Sequence, residues 1–144
     1  MKTHTIREEI TEIVNKLFVY TDYQKWQELQ AEVFSEVVDF DMSSLGGDVK
    51  KMKSVEICQM WKDGFAGLDA VNHLAGNYIV EIREADAFVF AYSTATHYKA
   101  SATQGKTREF VGSYEIKLAN EASGWRINGF KYNLKFATGN LDLV

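Results

Sequence analysis

Apolar residues recur at helical spacing in the first half of the chain and at alternate positions in the second half. That change of period sets the expected fold. Ile6, Ile10, Ile13, Val14, Leu17 and Phe18 fall on one side of a helix whose other side is polar. Thr5, with Glu8 three residues on, has the spacing of a capping box and marks the helix start. A second helix is predicted to open at Thr21-Asp22-Tyr23-Gln24, where Thr21 and Gln24 repeat that spacing. Trp26, Leu29, Val33 and Phe34 give it an apolar stripe. Residues 37–41 read as a short strand and residues 43–48 as a loop. A third helix is expected from about residue 54 to residue 67, with Ile57, Met60, Trp61 and Phe65 on its apolar face.

After Asn72 the period becomes two. Tyr78, Val80 and Ile82 alternate with Ile79, Glu81 and Arg83, and a turn over residues 83–86 leads into a strand over residues 87–98. On that strand Phe88, Phe90, Tyr92 and Tyr98 share one face, while Ala87, Val89, Ala91, Ser93, Ala95 and His97 share the other. Two further long strands are predicted over residues 108–118 and 125–136. Helices first and then a run of antiparallel strands is the α+β order. A strongly curved sheet wrapped over the helices leaves a cavity at its open end.

Length and composition narrow this further. The 144 residues suit one domain spanning 1–144, able to bury about 68–70% of the surface its unfolded chain exposes. Proline is absent, in keeping with long unbroken strands and no Pro-rich linker. A net charge of −4 and a pI near 5.4 argue against a nucleic-acid partner, which requires a basic stripe. The basic run Lys50-Lys51-Met52-Lys53 reads as solvated loop. No apolar stretch approaches the ~18 residues of a membrane span, and the acidic N-terminal residues do not form a signal peptide. A cytoplasmic protein with no membrane contact is the expectation. Cys58 is the only cysteine, so an internal disulfide and a Cys-based zinc site are excluded. It reads as a small core hydrophobe.

Five segments resemble the SnoaL-like branch of the nuclear transport factor 2-like superfamily. They are Tyr20-Thr21-Asp22-Tyr23-Gln24-Lys25-Trp26-Gln27-Glu28-Leu29, Gly67-Leu68-Asp69-Ala70-Val71-Asn72-His73-Leu74, Ala95-Thr96-His97-Tyr98, Gly112-Ser113-Tyr114 and Gly124-Trp125-Arg126-Ile127. The resemblance implies an α+β cone: three helices packed in a curved antiparallel sheet around a deep apolar pocket. Family members include polyketide cyclases, scytalone dehydratase, ketosteroid isomerases, small subunits of ring-hydroxylating dioxygenases and non-catalytic binding modules. Fold does not choose among these.

If the first two long strands form a hairpin about residues 84 and 85, His73 and His97 lie nearly opposite one another. Asp22 then completes an Asp–His–His cluster resembling that of scytalone dehydratase. The implied chemistry is proton transfer without a cofactor. His97 is expected to remove a proton alpha to a carbonyl, with His73 or Asp22 fixing its tautomer and steadying the imidazolium. A hydroxyl donor would hold the enolate oxygen. Dehydration, isomerisation and cyclisation share this base. The departures lie in the electrophile: Thr21 and the pair Phe40-Asp41 stand where the dehydratase carries carbonyl-polarising tyrosines. No short ligand pair such as HxxxH anchors a metal triad, so no metal is expected.

Phe18, Tyr20, Tyr23, Trp26, Phe40, Trp61 and Phe65, the aromatics of the helical half, are expected to wall the pocket and contact a small apolar or aromatic ligand. The aromatics on the sheet face opposite His97 are expected to form a homodimer interface. Three readings follow: an acid–base enzyme acting on an apolar, carbonyl-bearing ring compound, a binding module with the same pocket, and a small structural subunit of the dioxygenase type. The last usually carries a longer N-terminal arm.

Overall fold

A computed structural model describes residues 3–143. Helix α1 (Ile6–Asp22) starts where the capping box places it, with the Thr5 side chain accepting from Glu8 N–H and Glu8 closing back on Thr5. It buries Ile10, Val14, Leu17 and Phe18. The helix does not stop before Thr21. That residue is inside α1, and its hydroxyl donates to the Leu17 carbonyl at 2.6 Å. A hydroxyl satisfied one turn back has no reason to cap a new helix. The chain turns at Gln24, in the left-handed region with φ 56°, and α2 (Trp26–Glu28) passes at once into a π-helical turn, Leu29–Val33. Asp22 therefore closes α1 and does not open α2. Phe34 leaves the predicted helical stripe and begins strand β1 (Phe34–Asp41).

Lys50-Lys51-Met52-Lys53 is a strand, not a loop: β2 (Val49–Lys53) pairs antiparallel with β1, Val38 against Met52. Met52 is buried and the remaining residues are exposed. This alternation is too short to register against three lysines. Helix α3 (Ser54–Phe65) follows. The long strands are β3 (Ala70–Arg83), β4 (Asp86–Tyr98), β5 (Thr107–Glu121) and β6 (Gly124–Gly139). They complete one six-stranded sheet in the order β2-β1-β6-β5-β4-β3. Every pairing is antiparallel except β1 with β6, which is parallel, so the sheet is mixed. Its inner face closes on α1 through a core that includes Leu17, Val38, Ile57, Ile116 and Ile127.

One irregularity decides which way His73 points. At its closed end the β3–β4 hairpin pairs Arg83 with Asp86 and Ile79 with Phe90. Continued without interruption, that register would set His73 against Thr96, on the opposite face from His97. Between Gly76 and Ile79 the ladder shifts, β3 carrying one extra residue. Asn77 takes the left-handed conformation there, φ 56°, as a bulge allows. Beyond it His73 pairs with Ala95 and Val71 with His97. His73 and His97 thus share the inner face, two residues apart along the ladder.

Candidate active site

Helix α1 lies along β3, the sheet's edge strand, and its last residue reaches that strand. Asp22 Oδ1 lies 2.6 Å from His73 Nδ1, and Asp22 Oδ2 accepts the His73 backbone N–H at 2.8 Å. The side chains are almost covered, His73 being 11% exposed and Asp22 7%. An ionised carboxylate only accepts hydrogen bonds, so Nδ1 carries the proton. In the neutral ring this leaves the lone pair on Nε2. The Phe18 ring, 5.6 Å from the imidazole between centroids, fixes its position further.

His97 has the opposite arrangement. Arg108, directly across the β4–β5 ladder, donates its Nε–H to His97 Nδ1 at 3.0 Å. A guanidinium only donates, so Nδ1 is the acceptor and Nε2 carries the ring hydrogen. Burial, then the Arg108 charge, then His73, push the His97 pKa down to about 4. Phe65 and Phe110 clamp the ring, each with centroids 5.4 Å away. The nitrogen of His97 left for a ligand is a donor, while that of His73 is an acceptor.

Both rings line an apolar cavity of about 270 Å³. Of the expected aromatic walls, Phe18, Trp61 and Phe65 line it. Tyr20 does not, since its hydroxyl donates to Glu32 at 3.2 Å. Tyr23, 76% exposed, points to water. Trp26 packs against the core, and Phe40 is buried in it, stacked on Phe130 at 5.4 Å. Helical geometry explains the split, because Phe18 and Tyr20 lie two residues apart and so face different sides of α1.

Leu17 and Thr21 of α1 and Met42 and Leu45 after β1 add to the walls, and the sheet contributes Arg108, Phe110, Tyr114 and Tyr132 among others. None of these sheet residues was expected as a site residue, although Tyr114 lies in one of the five segments that carry the family resemblance. The available signal was register: Arg108, Phe110 and Tyr114 share the inward parity of β5. Burial raises the pKa of Tyr114 well above its ordinary value. The Tyr132 hydroxyl is buried without a partner among the described residues. Its ring occupies the space over Gly112, where a Cβ would stand 2.6 Å from that oxygen. A larger concavity, about 870 Å³, is an open groove on the outer face of the sheet and contains no histidine. No three His, Cys, Asp or Glu side chains gather as a metal-binding group among the described residues. Asp22 is committed to His73, and His97 to Arg108.

Comparisons with known proteins bear on the family and the fold. A family model described as a SnoaL-like domain matches residues 3–131. No curated protein matches the sequence. Among solved structures, the Kfla4162 protein of Kribbella flavida superposes with a TM-score of 0.87 at 20% identity, over 95% of each chain. The hexachlorocyclohexane dehydrochlorinase LinA-type3 of Novosphingobium barchaimii gives 0.76 at 11% identity, over 94% of this chain and 90% of its own. An NTF2-like superfamily protein of Salmonella enterica serovar Typhimurium gives 0.75 at 16% identity, over 98% and 99%. At these identities the likeness is one of fold.

Proposed function

Because the chain belongs to the SnoaL-like domain family, with the NTF2-like α+β fold, we propose that it is a cofactor-independent acid–base enzyme. Its substrate is a compact, apolar ring compound bearing an oxygen function. The observation that carries this reading is the buried Asp22–His73 pair, with its 2.6 Å contact to Nδ1 beside an apolar cavity. His73 Nε2 takes a proton from a ring carbon as the C–H bond breaks. Asp22 holds the imidazolium that forms, and the N–H at His97 Nε2 donates to an oxygen of the substrate. The electron pair released from carbon then expels a beta substituent, leaving a carbon–carbon double bond. Elimination is favoured over isomerisation or cyclisation by the likeness to a protein named as a dehydrochlorinase, which also removes a proton and a leaving group. His73 replaces His97 as the base because the Arg108 hydrogen bond occupies His97 Nδ1.

The test is turnover of cyclic hydroxy-ketones by the purified protein, followed by the absorbance of the conjugated product. His73→Gln is expected to lower kcat/KM by roughly 10²–10⁴-fold with the fold intact by circular dichroism. Saturable binding without product in the wild type would reassign the pocket to a non-catalytic module. The reading extends to assembly: two copies meet through the outer sheet face, where Leu74, Ile79, Phe88, Tyr92 and Phe136 are exposed. That amount of large apolar surface is the pattern of an interface.

A further inference from the structure

Arg108 places a full positive charge at the wall of a largely apolar cavity, and no carboxylate of the described residues balances it. Its Nε–H is given to a neutral ring, and one terminal amino group donates to the Leu143 carbonyl, which is also neutral. Among the described residues no carboxylate pairs with it. The carboxylate nearest along the strand, Glu109, points to the other face and meets Thr96. Asp22, the buried acid of the site, is engaged twice by His73. A guanidinium half-withdrawn from water and lacking a counter-ion is costly unless something negative joins it.

The guanidinium is also held in place. Its plane lies over the Phe110 ring, 5.5 Å from the centroid. The carbonyl it grips belongs to Leu143, which is buried. That turn is itself fixed by Asn140, whose N–H donates to Thr107 at 2.9 Å and whose side-chain amide donates to Gly105 at 2.9 Å. The remaining terminal amino group of Arg108 and the Nε2–H of His97 have no partner among the described residues. A pre-positioned cation with a neutral donor beside it matches a carboxylate. A phosphate dianion would need more donors than a single guanidinium and one imidazole supply.

We propose that Arg108, with His97 beside it, is a carboxylate-binding subsite, and that the pocket selects a ring compound carrying a carboxylate over its uncharged counterpart. This deepens the functional reading by naming the substrate class, yet it concerns binding and does not require turnover.

The test compares 2-naphthoate with 2-naphthamide, close in shape but differing in charge, by titration calorimetry on the full chain. The acid is expected to bind about tenfold or more tighter. In Arg108→Met the preference should fall to near parity. Arg108→Lys, which keeps the charge and serves should the methionine variant fail to fold, should retain a reduced preference. Side-chain nitrogen spectra of the histidines supply a second readout: 2-naphthoate should shift the Nε2 resonance of His97, and the ring should be the Nε2–H tautomer. In His73→Gln the preference for the acid should survive although turnover is lost, which separates this proposal from the assignment of the base. Equal affinity for the two probes, binding of neither, or a preference that persists in Arg108→Met overturns the proposal.

Discussion

At His97 a single hydrogen bond determines what the rest of the ring can do. With Arg108 donating to Nδ1 and a pKa near 4, the ring stays neutral wherever an ordinary histidine, at about 6.5, would begin to charge. Between those values the unfolded chain binds a proton that the folded chain does not. Stability therefore rises with pH across that window and is lost as pH falls through it. The contribution is on the order of 3 kcal/mol, and urea unfolding of the wild type and His97→Gln at pH 7 and pH 4.5 measures it. The variant should lose most of the pH dependence. Asp22, His73 and His97 were legible as candidates because a hairpin brings widely spaced residues together. Their tautomers were not, since a tautomer depends on the partner of the other nitrogen. Arg108 enters only once the β4–β5 register is known.

Among the elements, the bulge at Asn77 has the greatest effect for its size. Deleting Asn77 takes out the extra residue itself and leaves Gly76 against Tyr92 and His73 against Ala95, so the deletion should keep His73 facing the cavity and retain most of the activity that His73→Gln loses. Asn77→Val should destabilise by about 1–2 kcal/mol, since a branched side chain resists the left-handed conformation. Asn77→Gly should not, and thermal unfolding separates the two. On β5, Gly112→Ala sets a Cβ 2.3 Å from the Asn133 carbonyl oxygen and 2.6 Å from the Tyr132 hydroxyl. It should destabilise by roughly 1–3 kcal/mol and displace Tyr132. The helices and the four long strands were legible because period and capping are local. Thr21 misled because a residue suited to capping is equally well satisfied by the carbonyl one turn back. The parallel β1–β6 pairing and the bulge escaped because both are set by partners distant in sequence.

For the molecule as a whole, the outer face sets the expected assembly. Ile79 is 68% exposed and Leu74 75%, an arrangement that a second copy would cover. Sedimentation at micromolar concentration should give a dimer, and Phe88→Lys should give a monomer that retains its secondary structure. The Asp22–His73 contact has a second consequence at this scale. β3 is a margin of the sheet, and a margin with bare N–H and C=O groups invites strands from other chains. Helix α1 blocks that margin at two points: Asp22 takes the His73 backbone N–H at 2.8 Å, and Arg7 donates to the Val80 carbonyl at 2.6 Å. One carboxylate oxygen orients an imidazole while the other shields the strand beneath it. Light scattering on heating should therefore rise sooner in Asp22→Ala than in His73→Ala. A copy of this chain released from any catalytic duty would still be held to an acceptor at position 22, by its solubility alone.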